Sequence, residues 1–223
     1  MATPTPTPVP APSPSPEQAI RLVPPVEEPV RRPLAGDPSL AGLPSFIVGA
    51  VAFGMVLIGV TPVGAVGAAL PIILTASIGL FVAMIWAARL GESMQAGIFG
   101  VIAGFFLSYA LLVLGLSHSW FGLLPAAVLS TQKMFVIAWI AIITMLVLAT
   151  LRLPVIFPVL FAIVDVALLL DLLGIIQTSS NLTKASGWVT LGFTAVAVYL
   201  FLSSAFHATG GRAFPLGKPL LRA

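Results

Sequence analysis

The sequence contains no cysteine, which excludes a disulfide framework, a thiolate metal site and a cysteine nucleophile. Histidine is almost as scarce. His118 and His207 are the only two and lie far apart, so a histidine metal site is not expected, nor is any cofactor. Charge is the third shortage: 8% of residues are Asp, Glu, Lys or Arg, against about 25% in an ordinary soluble domain. The basic excess, ten Lys and Arg over seven Asp and Glu, forms no cluster beyond Arg31-Arg32 and carries no interleaved aromatics. Nucleic acid is therefore not an expected partner. Also missing are a Gly-x-Ser-x-Gly elbow, a phosphate-gripping glycine loop, a His-Glu-x-x-His pair and any acid pair at helical spacing inside an apolar run. An enzyme is not expected. No apolar stretch followed by a small-residue cleavage site occurs in the head of the chain, so no secretory signal is expected.

What the chain has instead is hydrocarbon, with 59% of its 223 residues hydrophobic. Six apolar stretches follow one another near 45–62, 68–88, 95–116, 132–151, 153–176 and 185–206. At about 1.5 Å rise per residue, roughly 20 residues cross the ~30 Å hydrocarbon core of a bilayer. The runs show no period-two alternation, which excludes a β-barrel, and helices satisfy their own backbone groups as lipid demands. The punctuation agrees. Asp37-Pro38 reads as a helix start, and Thr61-Pro62-Val63-Gly64, Arg89-Leu90-Gly91-Glu92-Ser93, Leu151-Arg152-Leu153-Pro154 and 177–184 read as turns. The longest connection opens at Ser117. The expected fold is an all-α membrane protein: a bundle of six transmembrane helices in 37–223, with a disordered Pro-rich tail in 1–36. Thirteen of the 20 prolines lie in 1–44. Proline removes backbone donors, and this head lacks the apolar mass for a core.

Orientation follows from charge. With the amino end inside, Arg21, Arg31, Arg32, Arg89, Arg152, Arg212, Lys218 and Arg222 fall on the inner side, and only Lys133 and Lys184 fall in outer loops. Both termini are then cytoplasmic, in the cell (plasma or inner) membrane.

Within the spans, Gly97, Gly100 and Gly104 predict close helix packing on span 3. Pro158 is expected to loosen the start of span 5. Asp165 and Asp171 are the only ionisable side chains well inside a span. Asp165, ionised and alone near mid-membrane, would cost at least ~2.5–3.5 kcal/mol. It is the candidate proton site, with a structural hydrogen bond to a neighbouring helix as the other reading. Asp171 lies about 120° further round the helix, so the two do not form a pair. Trp86, Trp120, Trp139 and Trp188 suit interface anchoring or packing equally.

Taken in order, several segments resemble the acetate/succinate uptake family of six-helix membrane proteins, the GPR1/FUN34/YaaH family. Its Asn-Pro-Ala-Pro-Leu-Gly-Leu signature, with a phenylalanine three residues on, is matched in spacing by Pro38, Gly42, Leu43 and Phe46, while Asp37 stands in place of the Asn. Gly91-Glu92-Ser93, with Phe99 and Phe105 downstream, is similar to its turn after span 2. Gly187-Trp188 with Leu191, Ala195, Ala197, Tyr199 and Leu200 resembles its last span, and Gly211-Arg212 with Pro215-Leu216-Gly217 resembles its carboxy end. The chain reads as a divergent member. The resemblance implies a channel-like carrier of small monocarboxylates, acetate-like or succinate, with homo-hexamers as the assembly. It also implies an apolar constriction, which by position is Phe46, Ile102 and Phe161. The family's span 3 tyrosine is here Ile102, and its span 5 aliphatic is Phe161. The expected activity is passage of a small carboxylate without chemistry on it, proton-coupled because no basic side chain lies deep in a span. The rival expectation is a membrane scaffold that docks a partner through its Pro-rich tail.

Overall fold

Six α-helices follow one another in the computed structural model, which describes residues 36–61, 67 and 69–221. They are α1 (Ser39–Ile58), α2 (Leu70–Arg89), α3 (Ser93–Ser117), α4 (Pro125–Ala149), α5 (Ile156–Gln177) and α6 (Ser180–Ala208). All six are long and apolar enough to cross a membrane, α4 through its stretch Ala127–Ala149. No β-strand occurs among the described residues. The readings made on residues 1–35, on the Pro62–Gly64 break and on Arg222 lie outside the described residues.

Number and order are as the apolar runs dictate, but α4 and α6 begin earlier than expected. α1 starts at Ser39, where Asp37-Pro38 predicts a start, because the Asp37 carboxylate accepts the Ser39 N–H at 2.8 Å, and it runs unbroken into the first apolar stretch. α4 starts at Pro125, whose missing N–H costs nothing in a first turn. Its polar opening stays helical, with the Thr131 hydroxyl donating to the Ala127 carbonyl at 2.9 Å. α6 starts at Ser180 because the turn after α5 needs only two residues. Thr178 takes a left-handed conformation (φ +50°), and the Ser179 N–H returns to the Gly174 carbonyl at 2.9 Å. Lys133 and Lys184 therefore stand on helices rather than in loops. Pro158 also departs from expectation. α5 begins at Ile156, so Pro158 falls in the first turn, where its missing N–H breaks no intrahelical bond.

Each helix packs against its neighbours in sequence, and α6 packs against α1, which closes a ring. Most buried hydroxyls inside the ring are satisfied locally or across a seam. Ser77 of α2 donates to the Ala103 carbonyl of α3 at 2.8 Å, and Ser186 of α6 to the Ala167 carbonyl of α5 at 2.7 Å. The loosest seam is α3/α4, and aromatic rings bridge it: Phe105 meets Trp139 edge-on at 5.3 Å and Phe135 at 6.1 Å. Glycines set the tightest seams. A Cβ on Gly187 would lie 2.8 Å from the Ile58 backbone nitrogen, and a Cβ on Gly49 would strike the Phe106 ring. Of the glycines singled out on α3, Gly100 faces Met84 of α2 and Gly104 faces Trp139 of α4, while Gly97 has open space beside it. The tryptophans divide as well. Trp120 and Trp188 are exposed, Trp139 packs on Phe105, and Trp86 is partly buried.

A chamber inside the ring

The ring encloses a chamber of about 580 Å³ that opens at one end, where α1, α3 and α5 begin. Its mouth is polar. Asp37, Ser39, Glu92, Ser93 and Gln95 line it, and Gln95 Nε2 donates to Ser39 Oγ at 2.7 Å. Asp37 caps α1 and Glu92 immediately precedes α3, so both acids stand against the positive ends of helix dipoles. No Lys, Arg or His lines the chamber among the described residues. Deeper in, the wall turns to hydrocarbon: Leu43, Leu80, Ile98, Phe99, Leu160 and Leu200, with Ser203 and Ser204 the exceptions.

Phe46, Ile102 and Phe161 meet at the closed end of this chamber, buried to 8%, 6% and 3% exposure. The three come from α1, α3 and α5, which only a closed ring brings together. Phe46 and Ile102 also wall a second void of about 30 Å³ further along the axis, so they separate the two spaces. Beyond them the axis is filled with rings. Phe46 stacks on Phe106 at 6.1 Å and on Phe193 at 5.8 Å, and Phe53 meets Phe105 and Tyr109 edge-on at 5.6 and 4.8 Å. The far end is therefore shut while the near end is open.

The signature positions support the mouth. Asp37 lines it, Pro38 is buried at the start of α1, and a Cβ on Gly42 would strike the Phe99 ring that forms part of the wall. Asp165 is elsewhere. Its Oδ2 accepts the Thr144 hydroxyl of α4 at 2.6 Å, its Oδ1 is buried without a partner, and it lines neither chamber nor void. The structure brings Phe46, Ile102 and Phe161 together and does not bring Asp165 to them.

Three parts of the site escaped the sequence reading. The aromatic plug of Phe53, Phe106 and Phe193 carried a usable signal. Positions 46, 50 and 53 of α1, and 99, 102, 106 and 109 of α3, follow the three-and-four spacing of one helix face. Thr190, which walls the small void, carried none.

The third is a strap formed by the chain after α6. Tyr199 Oη donates to the Pro215 carbonyl, and the Phe214 N–H to Ser203 Oγ, each at 2.9 Å. Leu216 lines the chamber, and its carbonyl accepts the Ile156 N–H at 3.3 Å. Pro215-Leu216-Gly217 stood out only as a resemblance, with no place in the site.

No curated protein matches the chain by sequence. Among solved structures it is similar to the bacterial acetate channel SatP, with a TM-score of 0.72 at 19% identity, covering 82% of this chain and 99% of that one. At that identity the likeness is one of fold. The sequence itself matches the GPR1/FUN34/yaaH family over residues 21–211. With its six apolar helices and a family match over most of its length, the chain is a multi-pass membrane protein and belongs to the GPR1/FUN34/yaaH family.

Proposed function

We propose that the protein passes small monocarboxylic acids of the acetate type across the cell membrane, with the proton travelling on the acid and no chemistry done on the solute. The observation that carries this reading is the chamber, polar at its mouth and closed by Phe46, Ile102 and Phe161. None of those side chains can replace the hydration shell of an anion. An unpaired carboxylate moved into such surroundings pays a large desolvation penalty and takes up a proton instead. The bacterial acetate channel that shares the fold supports this solute class.

The chamber mouth lies at the end that carries Arg89, Arg152, Arg212 and Lys218, which by the positive-inside rule is the cytoplasmic side. In this conformation the solute enters from within, and the aromatic plug bars the outer half. Assembly as a homo-hexamer is part of this proposal, and the resemblance to the family is its sole support. The scaffold alternative rests on residues 1–36, all but one of them outside the described residues, and no observation favours it.

The test is uptake of radiolabelled short carboxylates by purified protein in liposomes under imposed pH gradients. A carboxyl with a reference pKa near ~4.3 is neutral in roughly one molecule in 500 at pH 7, and that fraction rises about tenfold for each unit the pH falls toward the pKa. Uptake at fixed total acetate is expected to follow that slope between pH 8 and 6. A rate independent of pH, carrying net current, would mean that the anion itself crosses.

A further inference from the structure

Buried hydroxyls in this ring almost all have partners. Ser77, Thr150, Ser186 and Thr194 donate to carbonyls, and Ser203 Oγ accepts the Phe214 N–H. Thr190 is the exception. It is 0% exposed, and its Oγ1 has no hydrogen-bond partner. A threonine inside a helix ordinarily returns its hydroxyl to the carbonyl four residues back, as Thr194 does to Thr190 at 2.7 Å. Thr190 makes no such bond.

Its position gives that hydroxyl a use. Thr190 walls the void of about 30 Å³ immediately beyond Phe46 and Ile102, and every other side chain in that wall is hydrocarbon. A solute leaving the constriction therefore meets one polar group, already stripped of water and committed to nothing. We propose that the Thr190 hydroxyl is the hydrogen-bonding station for a neutral carboxylic acid on the far side of the constriction. This rests on the transport reading above and adds to it the residue that selects the form of the solute. A hydroxyl both donates and accepts, and so does a protonated carboxyl, so the two can pair in either sense. An ionised carboxylate only accepts, and a single hydroxyl cannot replace the several bonds its charge gives up on leaving water.

The substitution Thr190→Val keeps shape and volume and removes the hydroxyl, whereas Thr190→Ser keeps the hydroxyl and removes a methyl. Acetate uptake by proteoliposomes under an inward proton gradient is expected to fall about tenfold in T190V, the worth of one buried hydrogen bond, and to stay within about twofold of wild type in T190S. Thermal unfolding in detergent checks that the variants are folded. If T190V proves unfolded, T190S and T190A form the decisive pair, since they differ only in the hydroxyl. The serine variant is then expected to be at least about fivefold faster. Wild-type uptake in T190V, or equal losses in serine and alanine, would overturn the inference while leaving the transport reading intact. Absence of acetate uptake by the wild-type protein would overturn that reading, and this inference with it.

Discussion

On the transport function proposed above, Phe46, Ile102 and Phe161 act by being unable to hydrogen-bond. A ring of such side chains turns the charge of a solute into the quantity that decides its passage. Asp165 is the residue whose role most needs separating from theirs. Asp165→Asn keeps an oxygen for the Thr144 hydroxyl, so the α4/α5 contact is expected to survive. Because Asp165 lines neither chamber nor void, uptake by this variant is expected to keep its pH dependence. Liposome uptake at two imposed gradients measures this, and a flattened response would put the proton on Asp165 after all. Residue chemistry was legible in part. An acid in mid-span drew attention because its cost in lipid is large. Thr190 drew none, since a threonine that bonds its own helix and one that does not are the same letter in the sequence. Phe46, Ile102 and Phe161 came by position from family resemblance, as apolar residues in apolar helices carry no mark of which way they face.

Among the elements, the helices were readable and their ends were not. Apolar runs gave six helices because a bilayer leaves the backbone little choice. The starts of α4 and α6 were placed late because polar residues such as Thr131 and Asn181 read as loop, whereas those helices continue past their apolar stretches. Contacts between elements were harder still. Gly100 does pack on Met84, but the approach least able to give is at the α1/α6 seam, where Gly187 faces the backbone of Ile58. Alanine at Gly187 would place its Cβ 2.8 Å from the Ile58 backbone nitrogen, and backbone cannot swing aside as a flexible side chain can. G187A is expected to lose about 1–3 kcal/mol of stability, the usual cost of overpacking. A lowered thermal midpoint in detergent reports it. G97A, with nothing within 4 Å of its new methyl, is the control expected to melt like wild type.

Across the whole molecule, the ring could not be read from the sequence for a physical reason. In water the inward face of a helix is the apolar one, but these helices are apolar all round because lipid is as oily as their interior. Charge at the ends is what remains, and the orientation proposed above rests on it. Reporters placed after Ala223 and within residues 118–124 are expected to behave as cytoplasmic and external respectively, and an external signal at the carboxy end would invert the assigned sidedness of the chamber. The sequential order of the ring has a consequence for how the protein is made. A chain threaded into the bilayer amino end first can seat each new helix against the one just delivered, with little search. The α5/α6 and α1/α6 seams both wait for the last helix to leave the ribosome, and of the two only α1/α6 joins opposite ends of the chain. Until then the nascent chain is a horseshoe whose interior faces lipid, and a truncation anywhere before Ser180 would leave it so.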